Sequence, residues 1–202
     1  MNLADTLQDF RDCIHRCNEL IVVAHGDHGL FKSAHIEQVT ISAFLNLFIG
    51  WEKFLEQALV GYMLGLPTLN GKFPVKYVSP IDWTAAQNIL KGVNTYFSYS
   101  NHGNVKKIVR MYFENGYPFE PCLSSINQQL EHLKTMRNSS AHIDTTTQAK
   151  LDNVHNAILG RPTTNTSLYQ LLLSPIPAER GVKVYEKYRD TLEAAASDIA
   201  TG

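Results

Sequence analysis

The spacing of apolar residues along the chain predicts helices almost throughout. Apolar positions recur at intervals of three and four, the repeat of an amphipathic α-helix. Glycine and proline residues at 26, 65, 67, 160 and 162 mark the breaks between these segments. The predicted helices cover residues 3–24, 33–64, 80–91, 104–115, 120–136, 145–159 and 178–199, with a short segment at 167–173. The fold class expected is an all-α helical bundle with an insertion between helices at 67–81, which contains Asn70-Gly71 and possesses the turn chemistry of a short hairpin.

One polar residue falls where the helical pattern predicts a buried side chain. Leu123, Ile126, Leu130 and Leu133 are spaced three, four and three, and the next position on that stripe is Arg137. A buried guanidinium keeps its charge and needs a carboxylate, a phosphate or water. The alternative is that the helix ends before Arg137, which then turns outward to cap the last carbonyls while Asn138 terminates the helix.

Glu52 also lies on an apolar stripe, in the long helix predicted at 33–64. It is therefore a candidate partner for Arg137, either as a structural ion pair or as a group that orients the guanidinium.

Arg137 and His142 together provide two functional groups, a guanidinium and an imidazole, that suit phosphodiester chemistry. On a straight helix, five residues separate two side chains by roughly 140°, so a shared site requires the helix to end or bend between them. Asn138 and Ser139, followed by Ser140, suit such a break because their short side chains compete for backbone hydrogen bonds. An imidazole can transfer protons near neutral pH, and a guanidinium can hold a phosphate and stabilise transition-state charge. His132, one turn before Arg137, is expected to border the cleft.

At Arg137-Asn138-Ser139-Ser140-Ala141-His142 the chain resembles the HEPN superfamily, whose signature is an Arg followed after four to six residues by a His, commonly with a polar residue after the Arg. The segment 43–56, which includes Trp51-Glu52, is also similar to the Trp-Glu helix of several bacterial HEPN-like proteins. The resemblance covers about 36–158 and leaves 160–202 as a C-terminal helical extension of a single domain, 1–202.

The resemblance implies a metal-independent endoribonuclease of a toxin–antitoxin or phage-defence system. Arg137 and His142 would be catalytic, Asn138 would shape the site, and two protomers would bring their motifs together in one cleft. Attack by the ribose 2′-OH would leave a 2′,3′-cyclic phosphate. The expected partners are RNA, a second copy of the chain and an antitoxin or effector protein. Other members of the superfamily are non-catalytic binding or signalling modules, and that alternative stays open.

The composition of the chain limits the kind of RNA contact, the cellular compartment and the membrane contact that are expected. The 18 basic and 19 acidic residues give a net charge of -1, which argues against a broad electrostatic surface for nucleic acid and makes any RNA contact local. Three cysteines without a CxxC pair and an N-terminus without a signal sequence predict a reduced, cytoplasmic setting. The apolar stretch 41–66 is interrupted by charged residues, so no membrane contact is expected.

The sequence suggests no cofactor. It contains one weak alternative to the Arg137–His142 site, which is a possible metal site. His25, Asp27, His28 and His35 are the other concentration of possible metal ligands, although they match no established ligand spacing and suit a polar loop between helices.

Overall fold

The computed structural model describes residues 2–26, 31–141 and 144–202, and this part of the chain is helical without any strand. The all-α prediction is confirmed. The α-helices are α1 (Leu3–His25), α2 (Ser33–Leu64), α3 (Trp83–Lys91), α4 (His102–Tyr112), α5 (Phe119–Ser125), α6 (Asn127–Ala141), α7 (Thr145–Leu159), α8 (Leu168–Leu173) and α9 (Val184–Thr201), and a 3-10 turn covers Glu114–Gly116.

The helices contribute to two compact units. The first unit contains Met1–Arg11, Gly50–Leu130 and Leu192–Gly202, and the second contains Asp12–Ile49 and Glu131–Thr191. Helices α1, α2, α6 and α9 therefore each supply residues to both units. Helix α9, predicted as part of an extension, places Leu192, Ala196 and Ile199 in the core with no exposed surface.

Helix α2 supplies the centre of the first unit's core. Trp51, Phe54 and Leu55 are buried, and the rings of Trp51 and Phe54 stack with centroids 5.8 Å apart. The helix ends where Gly65 adopts a φ of +96°, as its Gly-Leu-Pro sequence predicted. Lys76 Nζ donates a hydrogen bond of 2.6 Å to the carbonyl of Met63 in this last turn, so a cation stabilises the negative end of the helix dipole.

The segment 67–81 forms a loop with a tight turn at its start. The amide of Gly71 donates to the carbonyl of Thr68, and the amide of Thr68 donates to the carbonyl of Lys72 at 2.7 Å. The flanking residues do not continue this pairing as strands. Instead, Lys76 forms an isolated antiparallel bridge with Phe113, so the short hairpin considered from the sequence is limited to the turn.

The predicted helix at 120–136 is two helices separated at Ile126, whose φ of -110° and ψ of 20° depart from helical values. Ser125 Oγ donates to the carbonyl of Cys122 at 2.8 Å, which satisfies an acceptor at the end of α5. Helix α6 then carries Arg137 and Asn138.

Candidate functional site

Arg137 lies on α6 with its side chain exposed to solvent. The prediction that it occupies the buried stripe is wrong. After Leu133 the core position is Met136, which has no exposed surface. At 100° per residue, positions 136 and 137 lie on either side of the direction of Leu133, and the apolar side chain is the one that turns inward. Arg137 thus points outward, as the capping alternative required, but it does so within a continuing helix.

The helix does not break at Asn138. Helix α6 continues through Asn138, Ser139 and Ser140 to Ala141, so these three residues do not interrupt the helix, and an end or bend between Arg137 and His142 stays a prediction. The serine hydroxyls support the helix, because Ser139 Oγ donates to the carbonyl of Met136 at 2.8 Å and Ser140 Oγ donates to that of Arg137 at 2.6 Å. These bonds satisfy acceptors near the helix end instead of competing with the helix.

Arg137 and Asn138 form a small polar pair on the surface of α6. The guanidinium Nη1 donates to Asn138 Oδ1 at 3.3 Å, and both residues are exposed. Within residues 2–26, 31–141 and 144–202, the guanidinium has no carboxylate within ion-pair distance. Among the described residues, its positive charge is therefore not neutralised by a carboxylate, and the exposed guanidinium can bind an anion from solvent. Ser139, by contrast, is buried and faces the core.

His142 lies outside the described residues. The chain is described again from Asp144, which accepts a hydrogen bond of 2.7 Å from the amide of Thr147 while Thr147 Oγ1 accepts one from the amide of Asp144. This capping box, with Asp144 as the cap, begins α7 at Thr145, the first residue of the predicted helix. The hydrogen bonds that the amide and the hydroxyl of Thr147 donate to the Asp144 carboxylate lower its pKa. The relation between Arg137 and His142 stays a prediction.

His132 faces α9. Its Nδ1 lies 2.6 Å from the Tyr188 hydroxyl, and the two rings are 6.2 Å apart. Burial lowers the pKa of His132 and raises that of Tyr188, with Glu179 adding to the latter effect. Both groups are therefore neutral near pH 7. This pair packs two helices of the second unit together, so His132 has a structural role, and its position beside a cleft stays a prediction.

Glu52 is half-buried on α2, within the first unit, whereas Arg137 belongs to the second. The apolar-stripe position predicted for Glu52 is thus only partly buried. Its pairing with Arg137 stays a prediction.

The alternative metal set does not come together in the part of the chain that the structure describes. His25 Nε2 lies 3.0 Å from Thr40 Oγ1, and because that hydroxyl donates to the carbonyl of Ile36, His25 must act as the donor. Its ring stacks on Tyr169, and burial together with the charge of Lys183 lowers its pKa. His35 is exposed, while Asp27 and His28 are outside the described residues. No three His, Cys, Asp or Glu side chains in the described ranges are placed to hold a metal ion.

The sequence suggests that His102 is an ordinary surface or boundary histidine, but in the structure it is a buried polar residue. It is 1% exposed and accepts a hydrogen bond of 3.3 Å from Trp51 Nε1. Because the indole N–H only donates, His102 Nε2 is unprotonated and the neutral ring carries its proton on Nδ1. The signal was present, since His102, Val105 and Val109 repeat at three and four along α4.

No protein-family model, no curated protein and no solved structure matches the chain. In the described residues, no helix is both long and apolar enough to cross a membrane. The resemblance to HEPN proteins therefore rests on the motif and on the Trp51-Glu52 segment alone.

Proposed function

We propose that this chain is an endoribonuclease in which Arg137 binds the scissile phosphate and His142 moves the proton. The observation that carries the proposal is the exposed guanidinium of Arg137, which has no ion-pair partner among the described residues and lies five positions before a histidine. A cation in this state can reach an external phosphate, and the exposed amide of Asn138 beside it supplies an additional hydrogen-bonding group.

The reaction requires two events at one phosphodiester. The His142 imidazole takes the proton of the ribose 2′-OH as that oxygen attacks phosphorus, and the bond to the 5′-oxygen breaks as that oxygen takes a proton from water. Arg137 stabilises the charge that develops on the non-bridging oxygens. The products are a 2′,3′-cyclic phosphate and a 5′-hydroxyl, so the substrate class is RNA.

The geometry of α6 limits how this site can be assembled. Helix α6 continues to Ala141. The imidazole that acts on a phosphate held by Arg137 must therefore come either from His142 of the same chain, positioned by the chain after Ala141, or from His142 of a second protomer. A homodimer that combines two motifs in one cleft meets this requirement, as the resemblance to HEPN proteins implies. A toxin–antitoxin or phage-defence setting, with an antitoxin or effector as a partner, belongs to the same proposal.

The exposure of Arg137 also favours a second candidate function. Helix α6 presents the guanidinium to solvent, and anion binding by Arg137 does not depend on where His142 lies. Arg137 would then bind an anionic partner without any cleavage, as in a non-catalytic binding or signalling module.

Cleavage of a single-stranded RNA in EDTA, by the wild type and by single variants, tests the proposal. Arg137→Ala and His142→Ala are each expected to lower the rate by about 100-fold or more. Arg161→Ala, which removes another exposed arginine, is the matched control and should keep the wild-type rate. Equal rates for all four proteins would overturn the assignment, whereas retained RNA binding without cleavage by the wild type would favour the binding module.

A further inference from the structure

The insertion between α2 and α3 presents apolar side chains to solvent at alternate positions. Phe73, Val75 and Tyr77 are 69%, 55% and 62% exposed, whereas Pro74 between them is buried. Alternate residues of an extended chain share one face. Leu69 and Ile81 flank this run and are also exposed, and these five residues are called the apolar strip below.

The backbone of the apolar strip is anchored at several points in the first unit. The amide of Leu69 donates to the carbonyl of Ala200, the amide of Tyr77 donates to that of Tyr112, and the carbonyl of Val75 accepts from the amide of Glu114, all at 2.8 or 2.9 Å. The hydrogen bond from Lys76 to the end of α2 holds the intervening residue inward. The apolar side chains are thus fixed in outward positions, which lowers the entropic cost of ordering them in an interface.

The amount of exposed apolar surface is comparable to that of a binding site. From their exposed fractions, the five side chains leave on the order of 500 Å² in contact with water, and patches of about 300–600 Å² are the largest on ordinary monomers and are often functional. Two such strips packed together would bury about 1,000 Å², near the lower limit for a specific interface.

The composition of the strip is compatible with pairing to a second copy of itself. A two-fold axis at Val75 places Phe73 of one copy opposite Tyr77 of the other, twice, as an isologous interface requires. The neighbouring groove, of about 540 Å³, has Phe73, Val75 and Tyr117 among its lining residues and also contains Lys72 and Glu114. A groove with one cation and one carboxylate can match a second copy of itself in charge.

We infer that two copies of this chain associate through the apolar strip, face to face. Pro74 has no amide hydrogen, which disfavours edge-on pairing of the two segments as strands. The inference concerns only the surface through which two copies pair, and it does not depend on the proposed function.

Sedimentation velocity of the full chain at tens of micromolar tests this inference. The wild type is expected to be a dimer, and Phe73→Glu and Tyr77→Glu are each expected to weaken association by about 100-fold. Val22→Glu is the matched control, since Val22 on α1 is 70% exposed and lies outside the strip, and it should leave the dimer intact. Circular dichroism checks that each variant keeps its helices, and Phe73→Ser provides a milder change at the same position.

A monomeric wild type, strip variants that dimerise as the wild type does, or an equal loss in Val22→Glu would each overturn the inference. The cleavage assay separates it from the proposed function. If the protein dimerises through the strip but does not cleave RNA, the inferred interface stands and the proposed ribonuclease activity is rejected. If a monomeric protein cleaves RNA, the activity stands and the inferred interface is rejected.

Discussion

His132 Nδ1 and the hydroxyl of Tyr188 lie 2.6 Å apart and join α6 to α9 within the second unit. Burial favours the neutral form of the imidazole and lowers its pKa in the folded protein. The unfolded chain, with a histidine pKa near 6.5, therefore binds more protons than the folded one at mildly acidic pH.

The first prediction concerns the pH dependence of stability. Because the folded-state pKa of His132 is depressed, its contribution to stability is fully present above about pH 6.5 and is lost as the pH falls from there towards the folded pKa. Urea unfolding at pH 7.5 and 5.5 should show a larger loss of unfolding free energy for the wild type than for His132→Gln. An equal loss in both proteins would mean that His132 is not the group responsible.

The second prediction compares two adjacent positions of α6. Met136→Ala removes a side chain with no exposed surface and should lower the unfolding free energy by about 2–4 kcal/mol. Arg137→Ala removes an exposed side chain and should change it by less than about 0.5 kcal/mol. Urea denaturation of the two variants measures both values. A larger loss for Arg137→Ala would show that the arginine, not the methionine, faces the core.

These two positions also show where sequence reasoning reached its limit. After Leu133, intervals of three and four are both compatible with a helical stripe, so the sequence pattern left either Met136 or Arg137 inward. The chemistry of the side chains decided the outcome, since burying a thioether costs far less than burying a guanidinium. A buried position that is assigned from helical spacing alone can therefore be wrong by one residue when the adjacent residue is apolar.

Helix boundaries were predictable where the chain carries an explicit stop signal. Helix α2 was predicted at 33–64 and α7 at 145–159, as observed, because Gly65 and Gly160 adopt positive φ angles that end each helix. The break at Ile126 was missed because neither glycine nor proline marks it. Helix α9 starts at Val184 instead of 178 because Pro175 and Lys183 form an antiparallel bridge around a turn.

Part of the candidate site could not be predicted for a different reason. The hydrogen bonds that hold Ser139 and Ser140 within α6 depend on side-chain rotamers, and the same residue types are also common where helices end. The burial of His102 was predictable from its helical spacing, but its partner Trp51 is 51 residues away, beyond the range of local patterns.

The third prediction concerns the loop that follows α7. Asp152 accepts hydrogen bonds from the amides of Asn165 and Thr166, at 3.1 and 2.8 Å, and from the side chain of Gln148. Desolvation opposes ionisation, but the hydrogen bonds from Thr166, Gln148 and Asn165 outweigh it and lower the pKa of Asp152. Its stabilising effect is therefore present above about pH 4 and is lost as the pH falls through the folded pKa.

Asp152→Ala should release this loop while leaving the helices in place. Amide hydrogen exchange at Asn165 and Thr166 is expected to accelerate by about tenfold at neutral pH, because both amides lose their acceptor. Asn153→Ala, which changes an exposed neighbour on α7, serves as the control and should leave the exchange rates as they are in the wild type. Unchanged exchange in Asp152→Ala would show that the loop is held by other contacts.

The central claim is that Arg137 and His142 cut RNA by attack of the ribose 2′-OH, and the termini of the products test it most directly. Wild-type protein is incubated in EDTA with a single-stranded RNA and with the same sequence fully 2′-O-methylated, and the fragments are analysed by mass spectrometry. The account predicts 2′,3′-cyclic phosphate and 5′-hydroxyl ends from the RNA and no cleavage of the methylated strand. Cleavage of both strands, or fragments with 5′-phosphate ends, would contradict it.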